Sequence, residues 1–183
     1  AFTAAMDGTY WAKRYLKMIV RRGQRKSYAE LYDQNLDVYV ALDAGRSDYM
    51  VLVFFHVWQG QVRILAEYYN TGEWLGHYVN YVKEICEETG WNVVHWYLPH
   101  DMGVTDLTQD NKTREEILNE LGVRNTTILE KLSKVHGIEE VRDAFAFIWI
   151  ADECVYLEQC CLNYTKTWNP LLEVWRDEPK RNQ

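Results

Sequence analysis

Residues 37–57, DVYVALDAGRSDYMVLVFFHV, constrain the fold more than any other stretch. At period two, Val38, Val40 and Leu42 fall on one face, and the run stops on Asp43. The small and polar residues at 44–48, Ala-Gly-Arg-Ser-Asp, supply a chain reversal. Residues 49–57 are nearly continuous apolar, β-branched and aromatic, the pattern of a buried strand. The segment reads as a β-hairpin with a carboxylate at the mouth of its first strand. A lone Asp after a strand is ordinarily a turn-former. Here a second strand ends the same way: residues 92–98, NVVHWYL, run into Pro99, His100 and Asp101.

The rest of the chain falls into order around these two strands. Residues 8–22 carry Tyr10, Trp11, Tyr15, Met18 and Ile19 at helical spacing with Lys and Arg between them. Residues 23–35 are polar and read as a linker. A third strand is expected over 61–69 and an amphipathic helix between Thr71, as N-cap, and Gly90, as C-terminal stop. Thr113 and Glu116 make a capping box for a helix closing at Leu121 and Gly122. Residues 125–129 read as a short strand, 136–150 as a helix, and a further helical stretch runs to about Tyr164. The tail, 168–183, is polar. A meander followed by β/α alternation predicts an α/β fold with a mixed central sheet of five or more strands flanked by helices, in the order of a ribonuclease H-like fold.

Composition narrows the class. At 183 residues with 48% hydrophobic content, one domain with a sizeable core is expected. The four cysteines form no C-x-x-C pair, so neither a zinc module nor a disulfide framework is indicated. No apolar run approaches the length of a membrane span, and no signal-peptide pattern opens the chain. Residues 1–36 hold seven Lys/Arg against three Asp/Glu, leaving thirteen against twenty-four beyond; the total is −7. Free-standing DNA binders are usually basic. An acidic chain handles nucleic acid when cations neutralise the site or a larger assembly supplies affinity.

Adjacent first and fourth strands would bring Asp43 and Asp101 together. Two carboxylates about 4 Å apart repel by about 4 kcal/mol at an effective dielectric near 20 and call for a shared cation or a raised pKa. Oxygen-only ligation selects Mg²⁺ or Mn²⁺, and a pair of such ions suits phosphodiester cleavage. Glu67, near the end of the central strand, is a further candidate ligand, with a solvated edge position as its bland alternative. Asp48 reads more as a turn residue than as a partner of the site, and Asp152 and Glu153 as the exposed face of a helix.

The stretches VYVALDAGRSDYMVLVFF, VHWYLPHDMG, KTREEILNELG and HGIEEVRDAF, in that order, resemble the nuclease domain of the large terminase subunit of tailed bacteriophages. The specific part is L-P-H-D at 98–101 following D-x-G-x-x-D at 43–48. The resemblance implies a metal-dependent endonuclease of ribonuclease H-like fold that cuts concatemeric double-stranded viral DNA. It makes Asp43 and Asp101 the catalytic, metal-binding carboxylates. It implies residues 1–36 as the segment leaving an ATPase domain and 37–183 as the nuclease domain. The implied partners are double-stranded DNA, that ATPase domain, the small terminase subunit and the portal, in the cytoplasm of an infected bacterium, with the isolated domain a monomer. The family's third carboxylate sits in a C-terminal H-x-x-D-A pattern, which this sequence lacks; it is expected past Gln183, with Asp177, the one Asp of the tail, a poor match. Arg46 and His100 are candidate phosphate contacts. Two alternatives stay open: another ribonuclease H-like nuclease, such as a resolvase or integrase core, and a non-catalytic interaction domain of the same fold.

Overall fold

The computed structural model describes residues 8–45, 49–106 and 112–180. The chain opens with α1 (Ala12–Tyr15), which runs on through a π-helical turn, Leu16–Val20. Then come β1 (Arg25–Lys26), α2 (Tyr28–Leu31), β2 (Val38–Ala44), β3 (Met50–Trp58), β4 (Gln61–Asn70), α3 (Leu75–Thr89) and β5 (Val93–Leu98). Beyond a 3₁₀ turn at His100–Gly103 lie β6 (Thr105–Asp106), β7 (Lys112–Thr113), α4 (Arg114–Glu120) and β8 (Thr126–Ile128). The chain continues with α5 (Lys134–Ala144), β9 (Ile148–Ala151), α6 (Val155–Asn163), β10 (Lys166–Asn169) and β11 (Val174–Pro179).

Seven strands form one mixed sheet in the order β1-β9-β4-β3-β2-β5-β8. The expected meander is present: β2 and β4 each run antiparallel to β3. The expected parallel pairing of β2 with β5 is present too, Val40 opposite Trp96 and Ala41 opposite Tyr97. Since β5–β8, β4–β9 and β1–β9 are also parallel, β3 alone runs against the others. The carboxyl ends of six strands therefore share one edge, where polar groups collect in open α/β sheets.

Alternation explains both faces of the sheet. Val38, Val40, Leu42, Leu52 and Phe54 are buried, as are Trp96 and Leu98. They share a core with Tyr78, Val79 and Val82 of α3. Gly90 ends α3 in the left-handed region at φ 73°, its N–H donating to the Cys86 carbonyl at 2.9 Å. The start of α3 differs from expectation. Thr71 is not its cap; Gly72, at φ 76°, turns the chain, and Trp74 occupies the N-cap position. The capping box at α4 is formed as read, Glu116 N–H donating to Thr113 Oγ1 at 3.1 Å and Thr113 N–H to Glu116 Oε2 at 2.6 Å.

Three other readings are corrected. Residues 23–35 are no plain linker, because they carry β1 and α2, and Leu31 is core. The helix expected over 136–150 stops at Ala144, and 148–151 form β9 on the open edge of β4. Ile148 and Ile150 fit either period, and an unpaired sheet edge decides for the strand. Buried Gln24 locks the switch, its amide donating to the carbonyls of Phe145 and Ile148. The polar tail folds as the β10–β11 hairpin, with Trp168 against Trp175 at 5.0 Å.

His56 of β3 is fully buried and was not anticipated. Its Nδ1 lies 2.7 Å from the Asp37 carbonyl, and its Nε2 accepts the Asp33 N–H at 3.4 Å. This pairing assigns a neutral ring protonated on Nδ1. Burial first, opposed by the Asp37 carbonyl, holds its pKa below the ordinary 6.5. With a folded pKa below the unfolded one, the stabilisation is complete above pH 6.5 and is lost as pH falls through the folded value. Melting temperature is expected to fall between pH 6.5 and 5, and to fall less in His56→Gln. At about 2–4 °C per kcal/mol for a chain of this size, the effect is measurable by scanning calorimetry. Parallel curves for the two proteins would contradict the assignment.

Candidate active site

Asp43 belongs to the outward set of β2. The even positions Val38, Val40, Leu42 and Ala44 are buried, while Tyr39 and Ala41 are half-buried and Asp43 is exposed. Asp101 arrives by another route. Leu98, fully buried, ends β5; Pro99 turns the chain out, and the 3₁₀ turn is pinned by buried Met102, whose N–H donates to the Pro99 carbonyl at 3.0 Å. The Leu129 N–H on the Leu98 carbonyl at 2.8 Å fixes the neighbouring loop. Asp43 lies two residues past Ala41, the last residue paired with β5, so both carboxylates stand at the shared carboxyl edge.

Their proximity is visible electrostatically. Burial raises the Asp43 carboxyl above the ordinary 3.8, and the Asp101 charge raises it further. Although Asp43 meets solvent at the strand end, enough protein surrounds it to weaken hydration of the charged form. Two oxygen donors that repel one another are the chemistry a hard divalent cation relieves. Among the described residues no group of three or more His, Cys, Asp and Glu is arranged to hold a metal ion. Two carboxylates by themselves would leave most of the shell of a hard cation to water or phosphate oxygens.

The remaining candidates divide clearly. His100 is exposed, next in sequence to Asp101. Arg46 and Asp48 lie outside the described residues. Glu67 is partly buried under α6, its two oxygens accepting the N–H groups of Tyr156 and Leu157 at 2.7 Å each. No side chain of the N-cap residue Cys154 serves these amides, so Glu67 is the cap of α6. Asp177 sits on β11, bound to Lys166 at 2.7 Å. It lines a cleft with Tyr10, Lys134 and Arg142 that contains neither Asp43 nor Asp101. Asp152 and Glu153 lie in the turn between β9 and α6 rather than on a helix, and Asp152 pairs with Arg25 at 3.3 Å.

Other cavities were not legible in the sequence. One of about 230 Å³, lined by Gly45, Met50, Asn70, Gly72, Glu73 and Tyr78, opens at the same edge as Asp43. A groove of about 370 Å³ between α3 and β5 has no carboxylate in its lining. The sequence also gave no sign of the ring cluster Tyr49, Tyr69 and Tyr156 beside Glu67. The period-two spacing of Glu67 and Tyr69 was the one available signal.

The fold is that of the ribonuclease H-like nuclease domains of large terminases. The large terminase of a thermophilic bacteriophage superposes with a TM-score of 0.66 at 14% identity, over 95% of this chain and 41% of that one. The large terminase nuclease of thermophilic phage G20c with bound magnesium gives 0.59 at 19%, over 90% of this chain and 85% of that one. The P22 large terminase nuclease domain gives 0.61 at 13%, over 88% and 81%. At these identities the likeness is one of fold, and the chain spans 41% of the first of these proteins. No protein-family model matches the sequence, and no curated protein matches it.

Proposed function

We propose that this chain is a metal-dependent endonuclease domain that cleaves double-stranded DNA within a viral packaging terminase. The observation that carries the reading is the parallel β2–β5 pairing, which delivers Asp43 and Asp101 to one edge, close enough for one charge to raise the other's pKa. The shared fold with terminase nucleases, one of which has been solved both with magnesium and with cobalt, supports it.

Asp43 and Asp101 are the residues that would hold a cation, Mg²⁺ or Mn²⁺. The chemistry such ions would supply there is activation of water and stabilisation of the leaving oxygen of a phosphodiester. Neutralising the acid pair also lets a polyanion approach a chain of net charge −7. His100, exposed beside Asp101, and Arg46 are the phosphate contacts. Glu67 serves α6 and Asp177 serves Lys166, so the account rests on the two aspartates. In a complete terminase the partners would be an ATPase domain, the small subunit and the portal, in the cytoplasm of the infected host. Relaxation of supercoiled plasmid by this chain in Mn²⁺, absent in EDTA, tests the reading. Intact plasmid after prolonged incubation in Mn²⁺ would rule it out for this chain.

A further inference from the structure

Three tyrosine rings stand beside the acid pair and take no part in the chemistry above. Asp43 is opposite Val51, and Val51 is opposite Tyr69, so carboxylate and ring project from one sheet face with a single strand between them. Two strand spacings are about 10 Å. Tyr69 stacks on Tyr156 of α6, centroids 4.1 Å apart and planes 21° apart. Tyr49, just before β3, meets both rings steeply inclined, at 5.5 and 5.8 Å. Tyr49 is 47% and Tyr69 43% exposed, so both stand partly open to solvent. Glu67 holds the third ring in register, because it grips the backbone amide of Tyr156 itself.

What such a surface binds follows from its chemistry. The rings carry no charge, so they gain little from phosphates, but an uncovered aromatic face stacks on a base. Inside a duplex the base faces are already covered by their neighbours; only an unpaired base has one free. A strand advances about 3.4 Å per nucleotide when stacked, so a base over Tyr69 lies about three nucleotides from a phosphate at Asp43.

We propose that Tyr49, Tyr69 and Tyr156 form a stacking platform for an unpaired DNA base flanking the bond cut at Asp43 and Asp101. The favoured substrate is then DNA with a single-stranded or locally melted segment beside the cut. This rests on the nuclease reading, but its test does not require cleavage. In low-salt buffer with Ca²⁺, a hard oxygen-seeking cation that neutralises the acid pair, binding of a fluorescent single-stranded oligonucleotide and of a blunt duplex is compared by anisotropy for wild type, Tyr69→Leu, Tyr69→Phe and Tyr49→Leu. The leucine variants are expected to weaken single-strand binding at least about 5-fold while duplex binding changes less than about 2-fold. Tyr69→Phe, which keeps the ring, stays near wild type. A 2-aminopurine placed three nucleotides from the cut reports the stacking directly by quenching, and the leucine variants restore its emission. Equal losses for both DNAs, or no loss for either, would overturn the platform. Plasmid relaxation judges the nuclease separately, and a leucine variant that melts early is replaced by the other.

Discussion

Asp43→Asn and Asp101→Asn will each slow Mn²⁺-dependent plasmid nicking at least about 100-fold without lowering the melting temperature. Asparagine keeps the size and one acceptor oxygen but removes the charge a cation needs. Metal stabilisation of the transition state is worth several kcal/mol, and each 1.36 kcal/mol is tenfold in rate. The stability half follows from sign. Asp43's folded pKa is raised above the ordinary 3.8 by burial and by Asp101. Its ionised form therefore costs stability once pH rises through the folded value, and nothing below 3.8. Asparagine removes that cost, so the variant melts at the wild-type temperature or above it near neutrality, the two converging in acid. Solvent at the strand end screens the pair and limits the gain to about 1 kcal/mol. Wild-type nicking by either variant would remove that residue from the site. Loss of activity together with early melting would assign the pair to architecture.

The largest effect on stability is expected at Glu67. Hydrogen bonds to a charged group contribute about 1.5–3 kcal/mol each, and Glu67 makes two, to the leading amides of α6. Glu67→Ala leaves those amides without an acceptor and is expected to cost about 3 kcal/mol. At about 2–4 °C per kcal/mol this lowers the melting temperature by about 6–12 °C. Glu67→Gln retains one acceptor and falls between. The experiment also separates two roles. A residue that served metal alone would leave the metal-free protein as stable as wild type after truncation and would lose Mn²⁺ affinity. Melting in EDTA is therefore the decisive condition.

The contrast between these two carboxylates shows how far the sequence was legible. The placement of Asp43 could be read because it is local: alternation in β2 turns Val38, Val40 and Leu42 inward, so an acid at 43 must face out at the strand end. The placement of Asp101 could be read because a short apolar strand runs into Pro99 just before it. Glu67 could not, since the amides it caps lie 89 and 90 residues further on, and no local pattern announces them. The same holds for β9. Its residues satisfy a helical period, and only the open edge of β4, an element formed far away in sequence, makes them a strand. Residues 23–35 looked like a linker because β1 is two residues long and α2 four, too short for periodicity to register. Gln24 and His56 carried no signal because a buried polar residue is recognised by its partners, the carbonyls of Phe145, Ile148 and Asp37.

Calorimetric titration of Mn²⁺ and Mg²⁺ into this chain and into Asp43→Asn, with and without a short duplex, tests the central claim most directly. With two aspartates supplying few of the six oxygens that Mg²⁺ requires, and given its reluctance to shed water, Mg²⁺ is expected to bind weakly without DNA. Mn²⁺ is expected to bind more tightly, DNA phosphates to strengthen both, and Asp43→Asn to abolish the heat of binding. Identical isotherms for wild type and Asp43→Asn, or no Mn²⁺ binding by the wild type even with DNA present, would contradict the account.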